Sequence, residues 1–212
     1  MADQRYSDSE EAIFRAAIEE FGKMGKTGAR MKAIASGAGV NKALIHYYFR
    51  DKDHLYDAVF DFVFARFMET LMDAVRDAET FDDVLWSVID RYMDFLNKYN
   101  QYPLLLQQEF DTGGETWQKK YSQIQAKYKM TPSSVFKERM REAVNNGEIR
   151  NVDPLHTWIT VLGACAYTFI AFPMIQCMHP DVEQHRNKFL QERKKHIYDL
   201  IEESLKVTGD NK

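Results

Sequence analysis

Apolar residues recur at spacings of three and four along nearly all of these 212 residues, and no run alternates apolar with polar for long enough to make a strand. A chain with only the helical period buries its apolar stripes by packing helix against helix, so the fold class is all-α, with about nine helices expected. The length fits one medium domain or a small domain fused to a larger one.

The first helix starts at Ser7, whose side chain can cap it, and Glu10 completes a capping box. Ile13, Phe14, Ala17, Ile18 and Phe21 form its stripe, and Gly22 and Gly25 close it. Two short helices follow, roughly Arg30 to Ser36 and Lys42 to Arg50, the second capped by Asn41. A long helix runs from Lys52 to about Ala78 on Leu55, Val59, Phe62, Val63, Phe67, Leu71 and Val75. Asp82 and Asp83 suit the start of the next, which continues to about Tyr99. Pro103 sits in the first turn of a short helix that stops near residues 112 to 114. Thr116 to Asn145 is helical with a break at Pro132. A helix from Pro154 should bend near Pro173, and a last one spans about Val182 to Lys206.

Charge is distributed unevenly. Acidic side chains outnumber basic ones 32 to 28, yet no Asp or Glu occurs from Phe21 to Arg50. Residues 23 to 52 hold seven bases against Asp51 alone, a balance of +6 that leaves −10 for the remainder. A polyanion within a Debye length meets that local field rather than the net −4 of the whole chain.

Between Asp153 and Asp181 there is no charged side chain, a length that could span a bilayer. Its threonines, Pro173 and the lack of a flanking Lys/Arg cluster favour a buried interface helix, where Gly163, Ala164 and Ala166 let a second helix approach. Cys165 and Cys177 lie in this apolar stretch without metal or disulfide spacing, and are expected to be buried, reduced thiols of a cytoplasmic protein. The polar, acidic N-terminus is unlike a signal peptide.

The stretch "IASGAGVNKALIHYYFRDK" at 34 to 52 has the spacing of a helix-turn-helix, with Gly39 in the turn and Ala35 small enough for close crossing. Ile34, Ala38, Val40, Ile45 and Tyr48 fall on the inside face of the pair, and Phe49 is core. An α-helix about 10–12 Å across fits a major groove about 12 Å wide. Lys42 and Ala43 at the helix start would meet base edges. His46 and Tyr47 would reach phosphates, with Arg30, Lys32 and Lys52 as flanking cations. A carboxylate here would repel the phosphates, which accounts for the missing acids.

These residues resemble the N-terminal DNA-binding domain of the tetracycline-repressor (TetR) family of bacterial transcription regulators. "IA..AGV" at 34 to 40, an aromatic pair followed by Phe at 47 to 49, and "K..L" at 52 to 55 carry the similarity. It covers about residues 8 to 60; beyond that only the helical layout and "GEIRNVDPLH" are similar. The resemblance implies a DNA-binding domain at 1–51 and a helical ligand-binding and dimerisation domain at 52–212. It further implies a homodimer on palindromic double-stranded operator DNA, a repressor released by a small-molecule effector. Lys42, Ala43 and Leu44 would then meet bases, and Arg30, His46, Tyr47, Tyr48 and Lys52 the backbone. The chain departs from the family pattern in two places. Ala29 and Arg30 stand where relatives carry a capping Thr or Ser, leaving Thr27 as the substitute, and His46 replaces a common tyrosine.

Such a family implies an effector pocket, here apolar or aromatic, that Phe67, Ile89, Met93, Trp117, Tyr121 and Trp158 would line, with Gln108 or Glu109 as polar contact. The long helix from Lys52 would link it to the DNA-binding module. Trp158, Leu162, Ala166 and Phe169 on the uncharged helix would pair across a two-fold axis with Leu190, Ile197, Leu200, Ile201 and Leu205 on the last. The same aromatics also read as plain core, which leaves open a DNA-binding regulator without an effector. A lipid- or membrane-associated helical protein is a further alternative. No P-loop, dinucleotide-binding glycines, HExxH or nucleophile elbow suggests an enzyme, and no cofactor or metal is called for.

Overall fold

The computed structural model describes residues 7–111, 113–128 and 130–207. Among these are eleven α-helices, one 3-10 turn and no strand. The helices are α1 (Asp8–Gly28), α2 (Met31–Gly37), α3 (Lys42–Phe49), α4 (Lys52–Arg76), α5 (Phe81–Lys98) and α6 (Tyr102–Asp111). They continue as α7 (Glu115–Tyr128), α8 (Pro132–Asn145), α9 (Pro154–Ile170), α10 (Phe172–Met178) and α11 (Arg186–Leu205), with the 3-10 turn at Pro180–Val182. The excess over nine arises because the expected break near Pro132 and the expected bend near Pro173 each divide one helix into two, α7 from α8 and α9 from α10.

Two compact units emerge, one of residues up to Arg66 with Tyr99–Gln118, the other of Phe67–Lys98 with the remainder from Lys119. In the first, α1 packs on α2 and α6, and α2 on α3. Ser7 and Glu10 form the expected capping box, and Ile13, Phe14, Ala17, Ile18 and Phe21 are all buried. Phe14 is the hub, its ring 5.4 Å from Phe49 and 4.7 Å from Phe62. Of the two glycines expected to close α1, Gly25 breaks it, whereas Gly22 stays inside the helix. The helix continues, breaks at Gly25 (φ 68, ψ 166) and runs on to Gly28. Gly22 serves a close approach instead, because a Cβ there would lie 2.6 Å from Gln101 Cβ and 3.2 Å from its carbonyl oxygen. Gln108 Nε2 donates to the Gly22 carbonyl at 3.0 Å on the same seam.

In the second unit α5 packs on α8, α9 and α11, and α9 on α8 and α11. Phe136 joins the layers, 5.4 Å from Phe81 and 5.0 Å from Trp158. Lys194, only 1% exposed, ties α11 to α5 by donating to Asp90 (2.8 Å) and Asp94 (2.6 Å). A buried ammonium demands such partners, because its desolvation is costly. Asp153 caps α9 by accepting from the Leu155 and His156 amides, and these bonds hold its carboxyl below the ordinary range.

The uncharged segment bends as expected, since α9 and α10 lie 57° apart across Ala171. No single described helix is long and apolar enough to cross a membrane, and the bent pair passes that test only when taken together. Of the two free cysteines, Cys165 is buried, which pushes its thiol up to about 12, whereas Cys177 is exposed and corrects the expectation that both are core. Residue 177 sits on the short α10, beyond the bend that turns the chain out of α9.

The Gly22 seam yields a prediction. Alanine raises intrinsic helix propensity by about 1 kcal/mol over glycine, but overpacking against a backbone neighbour costs about 1–3 kcal/mol. Gly22→Ala is therefore expected to destabilise the chain in urea unfolding; an unchanged or higher midpoint would show that α1 and α6 are not this close.

Candidate nucleic-acid interface

The interface starts with the turn between α2 and α3. Gly39 adopts φ 67, as expected of the turn residue, and the Val40 amide donates back to the Ala35 carbonyl at 3.0 Å. Asn41 then caps α3, its side chain accepting from the Leu44 amide at 2.7 Å. Ile34, Ala35, Ile45 and Phe49 are buried, with Ala38 and Val40 half-buried. Tyr48, expected inside, is 37% exposed. At about 100° per residue, position 49 lies nearer the direction of Ile45 than position 48 does, so Phe49 takes the core and Tyr48 the rim. Tyr48 meets Tyr47 edge-on at 5.4 Å.

The expected cap of α2 by Thr27 does not form, and no side chain of the cap residue Arg30 replaces it. Glu20, about two turns before the end of α1, accepts the Arg30 amide at 2.9 Å. Sequence reasoning missed this because the partner is ten residues away.

On the outer surface Lys42, Ala43, His46 and Tyr47 are exposed, Tyr47 at 80%. Leu44 is half-buried. His46 Nδ1 lies 2.7 Å from the Arg50 carbonyl, and since a carbonyl only accepts, Nδ1 carries the proton and Nε2 is left for an external partner. Arg50 (φ 62, ψ −63) and the Asp51 amide bonded to the Phe49 carbonyl at 2.7 Å form a strained γ-turn that ends α3 abruptly. Asp51 is engaged with the first turn of α4, accepting from the His54 amide (2.9 Å) and ring (2.8 Å), which lowers its pKa.

The cations divide by role. Lys23 pairs with Glu19 (2.8 Å) and Lys26 with Asp53 (3.3 Å). Lys52, expected at the phosphates, donates to the carbonyls of Thr27 (2.9 Å) and Ala29 (3.3 Å), clamping the α1–α2 turn. Arg30, Lys32, Lys42 and Arg50 are exposed and make no ion pair among the described residues. The surface that remains carries four uncommitted cations beside two tyrosines. It matches the chemistry of a phosphate backbone.

The residues expected to line an effector pocket are divided between the two units. Phe67, Ile89 and Met93 are buried in the second unit, where Phe67 stacks on Tyr92 at 5.7 Å. Trp158 rests on Phe136, and the Tyr121 hydroxyl lies 3.2 Å from Ser133 Oγ. Trp117 belongs to the first unit, 4.9 Å from Phe64. Gln108 and Glu109 line a cavity of the first unit.

Of the expected pairing residues, Phe169, Leu190, Ile197, Ile201 and Leu205 are buried within the chain's own core. Trp158, Leu162 and Ala166 are half-buried, and Leu200 is exposed. The outward apolar face of α9 consists of Leu155, Ile159, Tyr167 and Ile170, continued by Met174 and Met178 on α10. A helix apolar on every side gives no sequence signal for which face turns inward.

Residues 13–59 match the model of the family described as bacterial regulatory proteins, tetR family. Over 106 residues the chain is 26% identical to the HTH-type transcriptional repressor NicS of Pseudomonas putida, covering 50% of each. Over 103 residues it is 32% identical to the HTH-type transcriptional repressor SCO4008 of Streptomyces coelicolor, covering 49% of this chain and 48% of that one. The chain thus spans about half the length of these curated relatives. The solved structure of AibR in complex with isovaleryl coenzyme A and operator DNA has the same fold, with a TM-score of 0.60 at 21% identity over 76% of this chain and 86% of that one.

The division of cations predicts opposite phenotypes. Lys52→Met removes two charge-assisted bonds and is expected to lower unfolding free energy by about 1–3 kcal/mol. Lys42→Ala is expected to stay within about 0.5 kcal/mol of the parent. Urea titrations of the two variants compare them directly.

Proposed function

We propose, from the premise that the chain belongs to the tetR family of bacterial regulatory proteins, that it is a transcriptional repressor that binds palindromic operator DNA as a homodimer. The observation that carries this reading is the exposed face of α3, where Lys42, Ala43 and Tyr47 stand beside the uncommitted cations Arg30, Lys32 and Arg50. Lys42 and Ala43, with Leu44 behind them, read base edges; His46, Tyr47, Tyr48, Arg30 and Lys32 hold phosphates. Lys52 acts on the backbone contact indirectly, by fixing the turn that presents α2. In this reading residues 1–51 serve as the DNA-binding module and 52–212 as the effector-binding and dimerisation domain, in the cytoplasm and without enzymatic chemistry.

One α3 reads too few base pairs for specificity, so a second copy is part of the mechanism. The exposed row of Leu155, Ile159, Tyr167 and Ile170, with Leu162, Ala166 and Leu200 at its margins, supports pairing through α9 and α11. An effector that releases DNA must prefer one arrangement of the module over another. The continuity of α4 over 25 residues makes it the element to carry that change. The complex of AibR with an acyl coenzyme A supports an effector, while the full burial of Ile89 and Met93 favours the second reading, a regulator without one.

Duplexes selected from random DNA and titrated by fluorescence anisotropy test the claim. Affinity should fall steeply with salt, and Lys42→Ala should cost about 1–3 kcal/mol at the selected site while dimer mass is unchanged. No binding to any duplex at low ionic strength would overturn the reading.

A further inference from the structure

The cavity of the first unit differs in chemistry from an apolar effector pocket. It encloses about 510 Å³ between the end of α1, the start of α4, the end of α6 and the start of α7. Four carboxylates line it, from Asp57, Glu109, Asp111 and Glu115, against the single ammonium of Lys26. Glu109 is only 5% exposed and accepts from the Thr116 amide at 2.8 Å. A carboxylate held so far from water raises the local negative potential, because low-dielectric surroundings screen it weakly.

A second, independent feature is Tyr56, a lining residue that is 6% exposed. Its hydroxyl makes no hydrogen bond to any described residue. Burial, with the charge of Glu109 next in weight, pushes it up to about 12, so it stays protonated at neutral pH. Its ring already receives one cation, with Lys26 Nζ 4.9 Å from the centroid. The site therefore offers carboxylates, an unengaged phenol and an aromatic face in one concavity. No group of three His, Cys, Asp or Glu among the described residues is placed to hold a metal ion.

We propose that this cavity binds a small organic cation bearing ammonium or guanidinium groups, with Glu109 and Asp57 opposing its charge and Tyr56 hydrogen-bonding to it. Anionic ligands are excluded by the same four carboxylates. The cavity abuts the Gly25 break in α1, six residues before the start of α2. Binding there is independent of the operator reading and is measured without DNA.

The test is a calorimetric titration of the full chain with putrescine, against a sodium chloride control of matched ionic strength and the dianion glutarate. The expected result is saturable one-site binding of putrescine and none of glutarate. Glu109→Gln should weaken it at least tenfold, and the exposed pair Asp57→Asn with Asp111→Asn, which does not threaten the fold, should do the same. Tyr56→Phe should weaken it severalfold. Asp199→Asn, a carboxylate on α11, should leave it unchanged. Absence of saturable binding, equal binding of glutarate, or equal weakening by Asp199→Asn and the Asp57/Asp111 pair would each overturn the proposal.

Discussion

The contact of Phe14 with Phe49 and Phe62 is the constraint on which the exposed face of α3 depends. Phe14 sits in mid-α1, Phe49 ends α3 and Phe62 lies on α4, so one ring cluster fixes three helices that sequence alone would leave free to slide. Because Phe49 is locked inward, the positions around it are assigned by helix geometry: Ile45 must point in, Lys42, Ala43 and Tyr47 must point out. The strained Arg50 turn follows from the same anchor. With Phe49 held in the core and Asp51 capping α4, only one residue remains to reverse the chain, and its unfavourable φ is offset by the His46 ring donating to its carbonyl and by its own amide donating to the His46 carbonyl.

Charge then acts on a surface that packing has already shaped. The acid-free window removes repulsion toward a polyanion, but its bases are not equivalent. Those near the ends of α1 and α4 are consumed internally, by Glu19, Asp53 and two carbonyls, and stabilise the module. Those on α2, α3 and the turn after it stay available. A count of bases therefore overstates the charge offered to any polyanion, and the geometry of Lys52 shows why: its ammonium satisfies carbonyls that the broken end of α1 leaves without helical donors.

What was legible in the sequence was what depends on neighbours close in the chain. The Ser7 box, the Asn41 cap, the Gly39 turn, the α4 stripe and the bend near Pro173 are set within a few residues and appear as expected. What was not legible depends on partners far away. The Gly22 seam needs Gln101, the cap of α2 needs Glu20, and the carbonyl clamp needs Lys52 set against a turn 23 to 25 residues earlier. The candidate pocket illustrates the same limit. Aromatic spacing could not separate a lining from a core, and the cavity of the first unit is built from Gly25, Tyr56, Glu109 and Thr116, residues on four different helices with no shared period.

The uncharged α9 shows how physical cost narrows a reading that composition leaves open. Its inner face, Val161, Cys165 and Phe169, is buried against α5, α8 and α11, so roughly half the helix is already explained by the chain's own core. The other half exposes Leu155, Ile159, Tyr167 and Ile170 in one row, with Gly163 within it and the small Ala166 beside it. Leaving such a row in water forgoes about 25 cal/mol for each Å² that a partner could cover. Neither α9 nor α10 alone is long and apolar enough to cross a bilayer, and the pair is bent by 57°. A second copy suits the exposed row. The row is continuous along one helix, a two-fold axis brings identical rows together, and a small residue at its centre allows the helix axes to approach closely. In the proposed dimer the same symmetry would supply the paired α3 helices that an operator with two half-sites requires.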